Sequence, residues 1–206
     1  MQSNPTRLFL VRHGDTVDEE TKKVFKGSLD IPLSERGRGR IEKAGAFLSR
    51  FNIDYIYTSA LSRCIESGTI IARPHGLPIE TSGGLNELCF GSWEGLSFDE
   101  IDAHYPEEFS RWLSDPELHA PPAGETLRQA QQRIIPAFDT IVERHKGRNL
   151  ALVAHGGALR IILCSLLDLK LSFLFRLAQD YGGVSIIDIY EDKNAVVKLL
   201  NYTFYE

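Results

Sequence analysis

Methionine occurs once among the 206 residues and cysteine three times. Cys64, Cys89 and Cys164 are odd in number, far apart and without a CxxC pair, which argues against a disulfide framework and a zinc site. Small buried thiols in a reduced, cytoplasmic protein are the expectation. No apolar run reaches the length of a membrane span. The opening "MQSNPTR" carries no signal-like apolar segment. A long basic run is missing too: 23 basic against 28 acidic residues give a net charge of −5. Attraction of nucleic acid or a membrane by the overall field is therefore not expected. Any anion must be held by a local arginine cluster.

What is present is an alternation of strand-like and helix-like stretches. Hydrophobic residues make up 43% of the chain and no linker-like stretch divides it, so residues 1–206 read as one domain. "LFLV" at Leu8–Val11, "IDYIYTS", "GLPIETS", "NLALVA", "GVSIIDIY" and "AVVKLLNY" read as strands. Ser34 can cap a helix carrying Ile41, Ala44, Phe47, Leu48 and Phe51. Leu61, Ile65 and Gly68 mark the inner face of the next helix. A long helix begins after Thr126, bent at Pro136. The stretch 90–123 reads as short cap-like elements. The expected fold is α/β: a three-layer sandwich with a mostly parallel central sheet, helices on both faces and one antiparallel strand.

Two of the six histidines, His13 and His155, follow strong apolar strands and precede glycine. The open carboxyl ends of parallel strands are where such folds bind ligands. The other four suit surface or structural positions. Arg12 precedes His13, and Arg63 starts the helix after the second strand. Two guanidiniums offer forked donors that match phosphate oxygens. Gly156 and Gly157 open a helix whose free N–H groups can also face an anion. An imidazole facing phosphorus can attack it, with a protonated second histidine helping to neutralise charge. A leaving alkoxide then needs an acid, and Glu87, after the third strand, is the best-placed carboxyl. Spacing alone admits a hydrogen-bonded strand-end role for His13 as readily, and favours a solvated loop role for Glu87. Neither His13 nor His155 has a partner at metal-ligand spacing, so no metal and no cofactor is expected.

These segments resemble the histidine phosphatase superfamily in its phosphoglycerate mutase-like branch. "LVRHGDT", "GSLDIPLSERG", "TSALSRCIESG", "LNELCFGSWEG", "PPAGET" and "LVAHGGALR" are similar to that family's motifs, in order, over nearly the whole chain. The resemblance implies His13 as phosphorylated nucleophile, Glu87 as proton donor, and Arg12, Arg63, His155 and Gly156 around the phosphate. Mutases of the family resemble longer chains with a capping insertion, so hydrolysis is the expected reaction. The loops "ELCFGSWEG" and "APPAGET" most resemble the α-ribazole phosphatase-like group, which implies a small phosphorylated metabolite as partner, α-ribazole 5′-phosphate being the candidate. A homodimer is left open.

Two departures stand out. Where the family often has an asparagine that touches phosphate, this chain has Asp18, Glu19 and Glu20, and the loop is expected to turn away. Lys26, before Gly27, stands where serine or glutamine is common. It either reaches the site mouth and favours a second anionic group on the substrate, or faces solvent. Substrate recognition is expected from Lys26, residues 97–122 and the loop Ala178–Gly183.

Overall fold

The computed structural model describes residues 4–20 and 22–204. Strands β1 (Thr6–Arg12), β2 (Tyr55–Ser59), β3 (Ile79–Ser82), β4 (Asn149–Ala154), β5 (Val184–Ile189) and β6 (Ala195–Tyr202) form one sheet in the order β3-β2-β4-β1-β5-β6. The four strands β1 to β4 pair in parallel, and β5 is reversed against both β1 and β6. Among the described residues it is the single antiparallel strand of the sheet.

The continuous apolar run of β1 explains the layering, because successive strand side chains point to opposite faces. Leu8 and Leu10 enter a core with Leu150, Leu152, Ile134, Phe138 and Leu159. Phe9 and Val11 enter a second core with Ile41, Leu48, Ile71 and Val153. Each fully buried side chain of this kind contributes about 1.5–3 kcal/mol. Helices α1 (Glu35–Leu48) and α2 (Ser62–Ala72) supply the second core. Helices α3 (Phe98–His104) and α4 (Pro106–Ser114) close around a separate small cluster of Trp93, Ile101, Phe109 and Trp112. Helices α5 (Leu127–Arg144) and α6 (Gly156–Leu166) supply the first core.

The caps are where the residue types place them. The Ser34 side chain accepts the Gly37 N–H at 3.0 Å, and Thr126 forms a reciprocal capping box with Gln129. Pro136 lies on the exposed side of α5, which runs through it as one element to Arg144. The inner face of α2 differs from the expected one. Leu61 is the residue before the helix and Ile65 is only half-buried, while Cys64, Ser67, Gly68 and Ile71 face inward. The cause is Gly68: a Cβ there would strike the Thr58 methyl, so α2 touches β2 at this point and turns its neighbours one turn before and after toward the sheet.

Candidate active site

Backbone register sets the centre. Arg12 on β1 lies opposite Ala154 on β4, and the His13 N–H donates to the Ala154 carbonyl at 3.0 Å. The next residues, His13 and His155, therefore emerge side by side at a strand spacing of ~4.8 Å. Their ring centroids are 5.0 Å apart.

The two imidazoles are held differently. His13 is buried, and its Nδ1–H donates to the Gly14 carbonyl at 2.7 Å. A carbonyl can only accept, so Nδ1 carries the proton and a neutral ring keeps its lone pair on Nε2. Burial, reinforced by His155, Arg12 and Arg63, holds His13 well below the usual histidine pKa. His155 is fixed through a chain of donors. The Asn86 Oδ1 accepts the Ala60 N–H at 3.0 Å and the Ser59 hydroxyl at 2.9 Å. Ser59 Oγ is thereby committed as an acceptor toward His155 Nε2–H at 2.7 Å. His155 Nδ1 accepts the Arg63 Nε–H at 3.3 Å. Burial, then Arg63, Arg12 and Arg133, hold His155 well below the usual value as well. A protonated second histidine was expected; His155 is instead neutral, because a buried imidazolium beside two guanidiniums is strongly disfavoured.

Arg63 is fully buried, and its Nη1 and Nη2 donate to the Leu29 carbonyl at 2.6 Å and the Gly27 carbonyl at 2.9 Å. Arg12 lies 3.7 Å over the Tyr181 ring and donates from Nη1 to the Gln179 carbonyl at 2.6 Å. Its Nε is buried without a hydrogen-bond partner among the described residues. An unpaired buried guanidinium N–H is costly unless an anion meets it.

Glu87 sits at the start of α6. Its carboxylate accepts the N–H groups of Leu88 at 3.0 Å, Gly157 at 3.2 Å and Ala158 at 3.1 Å. The Gly157 N–H, expected to be free for an anion, is thus taken by Glu87, and a Cβ at 157 would strike that carboxylate. Gly156 instead lets the Arg12 guanidinium lie against the helix start.

Arg12, His13, Arg63, Glu87, Lys26 and Gly27 line one cavity of about 330 Å³, together with Lys23, Val24, three phenylalanines and Tyr181. His155 and Gly156 stand behind that lining. A larger cavity, about 470 Å³, lies beside Thr6 and Ile189 and has no imidazole or guanidinium. Among the described residues, no cluster of three or more His, Cys, Asp or Glu is arranged to hold a metal ion.

Several expectations change. The acidic loop after β1 does not turn away: Glu19 pairs with Lys26 Nζ and accepts the Tyr181 hydroxyl at 2.8 Å. Lys26 is buried rather than solvent-facing. Burial works to lower its pKa, but Tyr181 and Glu19 outweigh it and the net direction is upward. Gly14, the glycine after His13, packs against the Gly37 backbone of α1, where a Cβ would collide, and so gives substrate no extra room. Asp15 is a buried anchor, paired with Arg36 at 2.9 Å and Arg40 at 2.7 Å. Cys64 and Cys164 are buried as expected, whereas Cys89 is only partly so. Cys64 Sγ lies 3.4 Å from His155 Nε2, and burial pushes its thiol pKa up, which keeps it inert.

Tyr181, Glu19, Ser59, Asn86 and Gln179 escaped the sequence reading as site residues. Tyr181 and Gln179 had a signal, since both lie in the loop marked for recognition, and so did Glu19, in the acidic stretch that departs from the family pattern.

With this geometry in view, the comparisons with known proteins are specific. The sequence profile of the histidine phosphatase superfamily (branch 1) matches residues 8–202. A bifunctional protein of Mycobacterium tuberculosis is 32% identical over 205 residues, 99% of this chain and 56% of that protein, so the chain spans little more than half of that relative. Phosphoserine phosphatase 1 of Hydrogenobacter thermophilus is 30% identical over 193 residues, 94% of this chain and 91% of that protein. The crystal structure of the α-ribazole phosphatase from Shigella flexneri superposes with a TM-score of 0.87 at 26% identity, covering 98% of this chain and 100% of that one. The profile match spans β1 to β6 and carries both strand-end histidines with it: this chain belongs to the histidine phosphatase superfamily, branch 1.

Proposed function

We propose that this chain is a phosphomonoesterase that hydrolyses a small phosphorylated metabolite through a phosphohistidine on His13, without a cofactor. One observation carries the reading. The neutral His13 ring keeps its Nε2 lone pair for the cavity, beside an Arg12 Nε–H that is buried and unpartnered.

In the first half-reaction His13 Nε2 attacks phosphorus as the ester P–O bond breaks. Arg12 and Arg63 hold the phosphate oxygens and offset their charge. The Nδ1–H bond to the Gly14 carbonyl supports the positive charge that the ring acquires. Glu87, in its acid form, gives its proton to the departing alkoxide oxygen. The carboxylate left behind is the species that three backbone N–H groups are placed to hold. In the second half-reaction that carboxylate takes a proton from water as the water oxygen attacks phosphorus. The N–P bond breaks, inorganic phosphate leaves, and His13 returns neutral. His155 is a positioning residue that accepts the Arg63 Nε–H and so fixes the guanidinium beside the phosphate.

The candidate substrate is α-ribazole 5′-phosphate, supported by the loop resemblance and by the likeness to the Shigella structure. Rapid acid-free quenching after a pulse of labelled substrate tests the reading. Acid-labile, base-stable phosphate on the wild type and none on His13→Ala is expected. Interconversion of phosphoglycerates without phosphate release would make the chain a mutase, and no label with retained phosphate binding would make it a binding module.

A further inference from the structure

Lys26 is the buried lysine of the cavity, 8% exposed, and an ammonium beside a phosphate site ordinarily draws a second anionic group. Here that ammonium is already taken. Glu19, with a side chain 10% exposed, is paired with Nζ, and Asp18 Oδ2 lies 3.3 Å away. The Tyr181 hydroxyl is 3.2 Å from the same nitrogen and donates to Glu19 Oε1 at 2.8 Å. One ammonium against two carboxylates leaves this seat with a formal charge of −1. Beyond the solvent-exposed Lys23, the rest of the mouth is lined by Val24 and three phenylalanines. Phe25 stacks edge-on against Phe90 at 4.8 Å and tilts against Phe98 at 5.2 Å, and all three line the cavity.

We infer that Glu19 occupies, from within the chain, the seat that a substrate carboxylate or second phosphate would take. The site thereby selects phosphomonoesters whose only anionic group is the phosphate, with a neutral, flat leaving group lying on the Phe25, Phe90 and Phe98 wall. This deepens the phosphatase reading and rests on it. A phosphorylated acid must displace Glu19 from a hydrogen-bonded, poorly hydrated ammonium, or leave its own carboxylate desolvated beside Asp18 and Glu19. A neutral ring meets neither obstacle and gains contact with the phenylalanines.

Calorimetric titration of the full chain with inorganic phosphate, benzylphosphonate and 3-phosphonopropionate tests the inference without turnover. Benzylphosphonate should bind at least about tenfold more tightly than 3-phosphonopropionate, the factor that corresponds to one charge-assisted contact. In Glu19→Gln the formal charge of the seat rises to zero, and adding Asp18→Asn makes it positive. The preference should shrink in the first variant and reverse in the second. Adding Lys26→Gln to the double variant should remove the gained affinity for the carboxylate. Equal or tighter binding of 3-phosphonopropionate by the wild type overturns the inference while leaving the phosphatase reading in place. So does a preference that both charge variants leave unmoved. Failure of all three ligands, inorganic phosphate included, to bind overturns the phosphatase reading and the inference with it. The wild-type comparison stands on its own should a variant fold poorly.

Discussion

The strand-end centre and the mouth of the cavity are built by different means. At the centre, His13 and His155 are neighbours because β1 and β4 are, and the backbone pairing of Arg12 with Ala154 fixes them. At the mouth, Glu19, Lys26 and Tyr181 meet only through side-chain contacts, Lys26 and Tyr181 across 155 positions of sequence and Glu19 and Tyr181 across 162. A centre set by register tolerates little variation and holds the groups for chemistry. A mouth set by exchangeable side chains can change its charge without disturbing the sheet, which is what selection among leaving groups requires. The lesson is that reactivity and selectivity here are separable.

Variants of the centre should affect anionic and neutral leaving groups of equal basicity alike, and variants of the mouth should change the ratio between them. The largest effect expected is at Glu87. Glu87→Gln should slow hydrolysis of alkyl phosphates by about 10²–10⁴-fold, the usual contribution of a general acid. The loss on nitrophenyl phosphate, whose leaving group needs little protonation, should be much smaller. Steady-state rates on the two esters decide this, and equal losses would remove Glu87 as the acid.

Arg63 bridges the two regions, since one guanidinium bonds His155 Nδ1 and also the Gly27 and Leu29 carbonyls. Arg63→Ala should weaken inhibition by phosphate and vanadate by about 10–100-fold, the loss of a charge-assisted contact. It should also blur the preference among leaving groups, because the Lys26–Gly27 segment loses its anchor. Unchanged inhibition constants would mean that the phosphate pocket is built otherwise.

The smallest effect concerns pH. His13 and His155 both have folded pKa values below their unfolded value of about 6.5. The unfolded chain therefore binds more protons below that pH, and stability must fall as the pH drops from neutrality through about 6.5 and toward the folded values. Thermal unfolding midpoints should decline from pH 7 to pH 5, less steeply for His13→Ala. A midpoint slope that this substitution leaves intact would show that the centre is not where the burden lies.

The same contrast explains what the sequence makes legible. Apolar runs such as Leu8–Val11 and Leu150–Ala154 announce buried parallel strands, and glycine after each histidine marks the turn into a loop. From these the sheet and its reversed strand follow, while the grouping of Arg12, His13, Arg63, Glu87 and His155 needs the motif resemblance as well. Side-chain partnerships do not repeat with any period, so Glu19 stands out as a departure without showing its partners Lys26 and Tyr181, and Ser59 reads as a strand-end serine. The charge on His155 could not be read either, because it depends on the burial that folding creates. Gly14 shows the same limit: a glycine beside a nucleophile suggests room for substrate, but its neighbour is the Gly37 backbone, which only the docking of α1 reveals.

The central claim is that register makes neighbours of two histidines and hydrogen bonding gives only one of them a free nitrogen. Mapping the phosphoryl group in quenched wild-type enzyme tests it most directly. The account predicts phosphate on Nε2 of His13 and none on His155, whose nitrogens are committed to Ser59 and Arg63. Phosphate on His155, or on Nδ1 of His13, would contradict it.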